Sequence, residues 1–335
     1  MYSSAAPAIQ QTTWQQALAR SCTQLPELLN YLELKPSAVP ISADAMAKFP
    51  LRVTYDYLSR IEKGNPNDPL LRQILPIEDE LAFNSDYTAN PVGDIEAEQV
   101  AGILHKYHGR LLLITTGGCS INCRYCFRRE YPYSGNQTSK SVEQEAMDYI
   151  AQQSEISEVI LSGGDPLILN DARLSSLVSQ LEEIPHLKRL RIHTRLPVTL
   201  PSRVDPLLLT WLSKTRLATS LVLHVNHPNE LDNAVGDALL KLRQAGVTLL
   251  NQSVLLKNIN DSESTLCQLS EALFQYGVLP YYLHLLDKVS GSQHFDIPDA
   301  DACQLYHQIR SKLPGYLTPT LVRERSGFPY KSPIL

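Results

Sequence analysis

The alternation of two kinds of segment from residue 110 onward is the feature that most restricts the fold of this chain. Six short apolar runs, typical of buried strands, alternate with six amphipathic stretches of helical period. The runs are 110–116, 158–161, 187–194, 220–225, 247–256 and 280–286. The stretches are 141–153, 171–183, 205–214, 229–245, 262–275 and 299–312. This alternation predicts right-handed β-α-β units and a parallel sheet.

The number of units favours an α/β fold of the partial (β/α)6 barrel type. A complete eight-unit barrel takes about 250 residues, and here six units occupy about 210. A doubly wound open sheet is the alternative, and periodicity alone does not separate the two. In both architectures ligands bind at the C-terminal ends of the strands. We therefore expect the functional residues directly after the apolar runs.

The first hundred residues have a different character. Segments 13–34 and 49–62 carry apolar residues at helical spacing, and the Asn/Pro cluster at 65–69 interrupts helices. The sequence therefore predicts a mainly helical N-terminal region over residues 1–100. A barrel over 101–320 and a C-terminal segment over 321–335 would follow it.

Composition excludes several classes of protein. The chain has 335 residues, of which 43% are hydrophobic and 19% charged, so it can bury a sizeable core and is not disordered. Its net charge of −5 gives no basic surface for nucleic acid, and no apolar run approaches the roughly 20 residues of a membrane span. The start of the chain lacks the pattern of a secretory signal, and six cysteines are too few for a disulfide scaffold. These features predict a cytoplasmic protein.

Three cysteines directly after the first predicted strand carry the strongest chemical signal. Cys119, Cys123 and Cys126 form a CxxxCxxC motif, and three thiolates at this spacing can hold three irons of a cubane cluster. The fourth iron would stay open to a ligand. Two alternatives are small core cysteines on one helix face and a three-cysteine zinc site. Arginines crowd the segment and argue against the core alternative, namely Arg124, Arg128 and Arg129.

The motif in this position resembles the radical S-adenosylmethionine (SAM) superfamily. Blocks in order along the chain resemble the lysine 2,3-aminomutase family, namely NPNDPLLRQILP, KYHGRLLLITTGGC, CRYCFRR, LSGGDPL, RIHTRLPVTLPSR, HVNHPNE, NQSVLLKNIND and PYYLHLLD. The resemblance implies a [4Fe-4S] cluster, SAM and pyridoxal 5'-phosphate (PLP) as cofactors. It implies an isomerase that converts (S)-α-lysine into (R)-β-lysine after SAM is cleaved to a 5′-deoxyadenosyl radical.

The resemblance also implies roles for single residues. By themselves, a glycine pair is most often a turn and a lysine near a chain end is most often solvated. Matched to the family, the SAM-binding segment is Ser162, Gly163, Gly164 and Asp165. Lys331 matches the lysine that binds PLP covalently, and two residues match positions near that cofactor, namely Tyr107 and Arg110.

Three further residues match the substrate-binding positions of the family. Arg128 matches the arginine that pairs with the α-carboxylate, as a guanidinium does in bidentate fashion. Asp287 and Glu324 match two acids that hold the ε-ammonium, although the family commonly has Asp where this chain has Glu324. Two acids directed at one ammonium favour lysine over glutamate.

The remaining expectations concern partners. Longer family members bind zinc through a cysteine segment beyond the PLP lysine. This chain has four residues after Lys331 and Ser262 in place of the partner cysteine, so we predict no zinc. It resembles the short bacterial forms that supply (R)-β-lysine to elongation factor P through a lysyl ligase, and a flavodoxin- or ferredoxin-type reductant is implied. The alternatives are an aminomutase for another amino acid or for free β-lysine metabolism, and a non-catalytic iron–sulfur interaction protein.

Overall fold

The structure is a computed structural model that describes residues 13–133 and 140–334. The start of the chain, on which the expectation of no secretory signal depends, lies outside these residues. Among the helices within the described ranges, none is long and apolar enough to cross a membrane.

The N-terminal region is built from short helices, as predicted. They are α1 (Trp14–Ala19), α2 (Leu25–Tyr31), α3 (Ala43–Lys48), α4 (Tyr55–Leu58) and α5 (Pro69–Arg72). The prediction of a helix over 49–62 is wrong for most of that segment. Cys22 and Val53 exchange backbone hydrogen bonds of 2.8 and 3.0 Å, which hold the chain before Thr54 extended. Thr54 then caps α4 by accepting from the Tyr57 amide.

A ten-stranded mixed sheet forms the centre of the molecule. Its strands are β1 (Glu98–Val100), β2 (Ile103–Tyr107), β3 (Arg110–Thr116), β4 (Glu158–Gly163), β5 (Arg189–Thr194), β6 (Ala218–Leu223), β7 (Thr248–Val254), β8 (Leu279–His284), β9 (Thr320–Arg323) and β10 (Ser332–Pro333). Strands β3 to β9 are parallel, and the pairs at both edges are antiparallel. The six predicted strands correspond to β3–β8, so the sequence missed β1, β2, β9 and β10.

The order of the strands decides between the two predicted architectures. Spatial order follows chain order from β1 to β10, with no reversal. A doubly wound sheet reverses its order at a switch point, whereas a barrel advances in one direction. Within the described residues β10 pairs with β9 and β1 with β2. The sheet is therefore the predicted partial barrel.

Helices connect the parallel strands and cover the outside of the sheet. They are α6 (Lys140–Gln152), α7 (Asp171–Glu182), α8 (Leu196–Thr199), α9 (Pro206–Lys214), α10 (Asn233–Gln244), α11 (Glu263–Gln275) and α12 (Asp299–Lys312). All six predicted helices are present. Within the predicted stretch 229–245 the helix begins only at Asn233. Asp232 precedes it and caps α10 by accepting from the Val235 amide at 2.8 Å. The proposed division at about residues 100 and 320 stays a prediction.

Candidate active site

One cavity of about 280 Å³ lies within the partial barrel that the sheet forms. All the predicted site residues line this cavity. These are Tyr107, Arg110, Cys119, Cys123, Cys126, Arg128, Ser162, Gly163, Gly164, Asp165, Asp287, Glu324 and Lys331. Most of them follow the C-terminal end of a strand, as expected. Arg110 differs, because it is the first residue of β3 and lies at the other end of that strand from the cysteine loop. The cavity therefore extends along the strands.

The cysteine loop is fixed to the N-terminal region. Ile121 packs into the core of that region, and the Arg124 amide donates to the Gln73 carbonyl at 2.9 Å. The Arg124 side chain is fully buried and pairs with both carboxylate oxygens of Glu80, at 2.8 and 2.6 Å. Arg129 reaches the same carboxylate at 2.7 Å. Arg124 and Arg129 are thus structural, and they hold the loop in place.

The three cysteines of the loop line the cavity, and burial raises the pKa of two of them. In the part of the chain that the structure describes, no three His, Cys, Asp or Glu side chains converge on one ion site. Burial, followed by the charges of Cys126, Asp165 and Cys123, raises the pKa of Cys119 well above its usual value. Burial also raises the pKa of Cys126, to about 11. A metal centre bound by these cysteines would oppose both effects, because a coordinating thiol is deprotonated outright.

The glycine segment after β4 lies against the glycines before the first cysteine. A Cβ on Gly164 would come within 2.8 Å of the carbonyl carbons of Gly117 and Gly118, closer than side chains approach backbone. Gly163 has φ +113°, and a Cβ there would lie 2.5 Å from the Thr116 carbonyl oxygen. The glycines therefore allow two loops of the site to touch.

The Asp165 side chain points into the protein and connects β4 with β5. Its Oδ1 accepts from the Thr194 hydroxyl at 2.7 Å and from the Leu167 amide at 3.1 Å. Its Oδ2 accepts from the Arg195 amide at 2.8 Å. These bonds occupy both carboxylate oxygens, so the part of this segment that remains for a ligand is the neighbouring backbone and Ser162.

A row of charged side chains, buried or half-buried, crosses the cavity and includes two residues that sequence reasoning missed, Asp94 and Lys106. Arg128 donates to Asp94 Oδ2 at 2.6 Å, and Lys106 Nζ lies 2.5 Å from Asp94 Oδ1. Lys106 also donates to Glu324 Oε1 at 3.1 Å. Lys331 donates to Glu324 Oε2 at 2.6 Å. Lys106 directly precedes Tyr107 in one of the resembling blocks, the only signal the sequence offered.

Two acids that line the cavity, Glu324 and Asp287, have opposite pKa shifts. Burial would raise the pKa of Glu324, but Lys331 and Lys106 outweigh it and hold that pKa well below the usual value. Burial and the charge of Glu324 raise the pKa of Asp287 to about 7. Asp287 Oδ1 is buried and has no hydrogen-bond partner among the described residues. Asp287 is therefore the acid that is open to a new cation.

Aromatic and imidazole groups complete the wall. The Arg110 guanidinium lies 4.7 Å from the centre of the Tyr107 ring. His193 in β5, His224 after β6 and His284 at the end of β8 line the cavity, and burial lowers the pKa of each of them, so they are neutral near pH 7. His193 Nε2 and His284 Nε2 have no hydrogen-bond partner within the described ranges, while Gln252 contacts His224 at 3.2 Å.

Comparison with known proteins identifies the family. A family model described as the radical SAM superfamily matches residues 113–269. L-lysine 2,3-aminomutase of Escherichia coli (strain K12) is 47% identical over 96% of this chain and 94% of that protein. The chain belongs to the lysine 2,3-aminomutase family of radical SAM enzymes. The family and the isomerase class predicted from the sequence are thereby confirmed.

Other members of the family show how far the similarity extends. L-lysine 2,3-aminomutase of Haemophilus influenzae is 48% identical over 96% of each chain. L-lysine 2,3-aminomutase of Clostridium subterminale is 33% identical over 96% of this chain and 77% of its own. The similarity therefore includes the N-terminal region, which provides Asp94 and the contacts to the cysteine loop.

Proposed function

We propose that this protein converts (S)-α-lysine into (R)-β-lysine with a [4Fe-4S] cluster, SAM and PLP. One observation carries the proposal: three elements far apart in the sequence, at 119–126, 162–165 and 331, line one cavity. The similarity to two relatives with the name L-lysine 2,3-aminomutase, over 96% of this chain, supports it.

The residues of the cavity fit the three cofactors. Cys119, Cys123 and Cys126 would hold the cluster, and the segment from Ser162 to Asp165 would contact SAM beside it. Lys331 would hold PLP, with Tyr107 and Arg110 near that cofactor. When bound, the cluster and SAM supply a carbon-centred radical, and PLP carries the migrating amino group. The residues of the chain would bind the cofactors and the substrate, orient their reacting atoms and exclude water.

Arg128 is suited to bind the carboxylate of the substrate. Its Nε donates a hydrogen bond to Asp94 at 2.6 Å, and its Nη1 donates one to the Ser162 hydroxyl at 3.1 Å. These two bonds fix its plane, and Nη2 makes no hydrogen bond to any described residue. Since Asp94 also binds Lys106, its one negative charge is shared between two cations. The row therefore retains positive charge for an anionic ligand group.

Asp287 and Glu324 are suited to bind the ammonium group of the substrate. Both oxygens of Glu324 accept from lysines in this structure, one from Lys331 and one from Lys106. A covalent bond at Lys331 Nζ would withdraw that donor from Glu324 Oε2. Asp287 lines the same cavity, and its Oδ1 has no hydrogen-bond partner among the described residues. Two acids would then face a single ammonium, and they would repel an acidic side chain.

Partners and cellular role follow from the resemblance to short bacterial forms. We propose that a flavodoxin- or ferredoxin-type protein reduces the cluster, and that the product passes through a lysyl ligase to elongation factor P. The test is a mass measurement of elongation factor P incubated with the ligase and this enzyme's product. No mass increase would leave free β-lysine metabolism as the role. The cytoplasmic location and the absence of zinc stay predictions.

The activity test is an anaerobic assay with SAM, PLP, dithionite and L-lysine, followed by chiral separation of the products. We expect (R)-β-lysine from the wild type and none from Lys331→Ala or Cys126→Ala. Cleavage of SAM without β-lysine would indicate another amino acid substrate. An intact cluster without SAM cleavage would favour the non-catalytic alternative.

A further inference from the structure

A buried arginine at the end of β5 contacts one of the three cluster cysteines. Arg195 Nη1 donates to the Cys123 sulfur at 2.8 Å. The thiol occupies the place that the cluster-bound thiolate would take. Arg195 is 5% exposed, and its backbone amide is held by Asp165. A guanidinium does not lose its proton in proteins, so a full positive charge lies at this sulfur.

Other polar groups fix the orientation of this guanidinium. Nη1 also donates to the Tyr125 hydroxyl at 2.9 Å, and Nη2 donates to Gln73 Oε1 and Glu230 Oε2, both at 2.7 Å. Nε is buried and has no hydrogen-bond partner in the part of the chain that the structure describes. The guanidinium therefore cannot turn away from Cys123 without breaking several buried bonds.

The charge of Arg195 is balanced mainly by one acid. Glu230 is fully buried and lies 2.7 Å from Nη2, on the other terminal nitrogen from the one that contacts Cys123. Its second oxygen, Oε1, accepts from the Asn226 amide at 2.9 Å and from the Gln73 side chain at 3.2 Å. Arg195 and Glu230 thus form a buried charge pair, and its positive end faces the cysteine loop.

We infer that Arg195 and Glu230 together set the reduction potential of the iron–sulfur cluster. The inference rests on the proposed function only in requiring a cluster at the three cysteines. Reduction adds one electron to the cluster, here from an external reductant, and the cluster becomes more negative. Hydrogen bonds to cluster sulfurs and nearby charge are established determinants of the potential. The positive charge at Cys123 stabilises the reduced cluster, and Glu230 limits that effect.

The two residues predict shifts of opposite sign. Arg195→Gln removes the cation and should make the midpoint potential more negative, so that the cluster is harder to reduce. Glu230→Gln removes the balancing anion and should make the potential more positive. A tenfold change in the one-electron equilibrium, which is the size we expect for Arg195→Gln, corresponds to about 59 mV. The midpoint potential of the double variant should lie between the potentials of the two single variants.

The experiment is a redox titration of each anaerobically reconstituted variant, followed by electron paramagnetic resonance, without SAM or lysine. Tyr57→Phe is the matched control, because Tyr57 lies in the same network at 3.4 Å from Arg195 but has no hydrogen bond to a cysteine. If Arg195→Gln does not hold a cluster, Arg195→Lys replaces it in the experiment, because it retains the positive charge and should retain the cluster. Iron and sulfide content are measured in parallel.

Opposite shifts for Arg195→Gln and Glu230→Gln, with Tyr57→Phe unchanged, would support the inference. Should Arg195→Gln lose the cluster, a positive shift in Glu230→Gln with retention by Arg195→Lys would support it equally. Equal potentials in all loaded variants, or shifts of the same sign, would overturn it and leave Arg195 a structural residue. Failure of the wild type to load a cluster would instead contradict the proposed function. The two failures are therefore distinguishable.

Discussion

Lys331 Nζ donates to Glu324 Oε2 at 2.6 Å, while Lys106 holds the other oxygen of the same carboxylate at 3.1 Å. Glu324 therefore balances two cations before any ligand binds. This relationship connects the proposed PLP lysine with the proposed substrate acid, and it shows that Glu324 has two cationic partners.

We predict that Glu324→Gln weakens lysine binding. The substitution leaves the shape of the side chain but removes the charge that a substrate ammonium would pair with. Loss of one partner of a buried charge pair costs about 2–5 kcal/mol, so KM for lysine should rise by more than tenfold. Steady-state kinetics with Glu324→Asp as the control check this, because Asp retains the charge and should change KM less. An unchanged KM in Glu324→Gln would place the ammonium elsewhere.

The stability of the ligand-free protein should depend on Asp287 and pH. Burial and Glu324 raise its pKa from 3.8 to about 7, against the opposing charges of Lys331 and Lys106. The folded state therefore holds this proton more tightly than the unfolded state does. The stabilisation is complete below about pH 4 and is lost as pH rises through about 7.

Asp287→Asn does not titrate, so it serves as the reference for this effect. Relative to Asp287→Asn, the wild type should lose stability on the order of a few kcal/mol between pH 4 and 8. Urea unfolding of both proteins at several pH values measures the difference. The exposed Asp86→Asn is the control and should track the wild type. A constant difference between wild type and Asp287→Asn would contradict the raised pKa.

A methyl group on Gly164 should separate the two loops that form the cysteine side of the cavity. Gly164→Ala places a Cβ within 2.8 Å of two backbone carbons, and neither can move without displacing the cysteine loop. We expect a loss of about 3 kcal/mol in the free energy of unfolding, together with reduced iron content after reconstitution. Gly315→Ala is the matched control, since no atom lies within 4 Å of its Cβ. Equal stability of the two variants would refute the close contact.

The buried cluster of Glu80 with Arg124 and Arg129 should contribute strongly to stability. Glu80→Gln leaves two buried guanidiniums without their shared anion, and breaking such a pair costs about 3 kcal/mol or more. The unfolding free energy should fall accordingly, whereas Lys63→Gln, in an exposed ion pair, should leave it unchanged. A small effect of Glu80→Gln would mean that water enters this cluster and replaces the carboxylate.

The sequence predicted strands β3–β8 because most of them contain a run of adjacent apolar residues, such as residues 111–114 in β3. It missed β9, since Thr320–Arg323 is only four residues long and has one polar residue at each end. It predicted too much helix around Val53 because the bridge to Cys22 depends on a contact across thirty residues, which local periodicity does not contain. Tertiary pairing overrode the local pattern there.

In the site, too, features with a local sequence pattern were predicted and features that depend on tertiary contacts were missed. The cysteines, the glycine segment and Lys331 form recognisable patterns, and all of them line the cavity. Asp94, Lys106 and Arg195 are ordinary charged residues in a loop, a strand and a strand end. Their importance arises from partners 34, 218 and 72 residues away, namely Arg128, Glu324 and Cys123. No spacing rule in the sequence brings such pairs together.

The antiparallel pairing of β9 with β10 has a mechanical consequence. Ser332 pairs with Arg323, so the residues next to them, Lys331 and Glu324, are the first pair of the turn that joins the two strands. If this edge of the sheet shifts outward to admit a ligand, the amine and the acid travel as one body. The spacing between the proposed cofactor attachment point and the substrate acid is then preserved, whereas the contact of Glu324 with Lys106 on β2 would have to break.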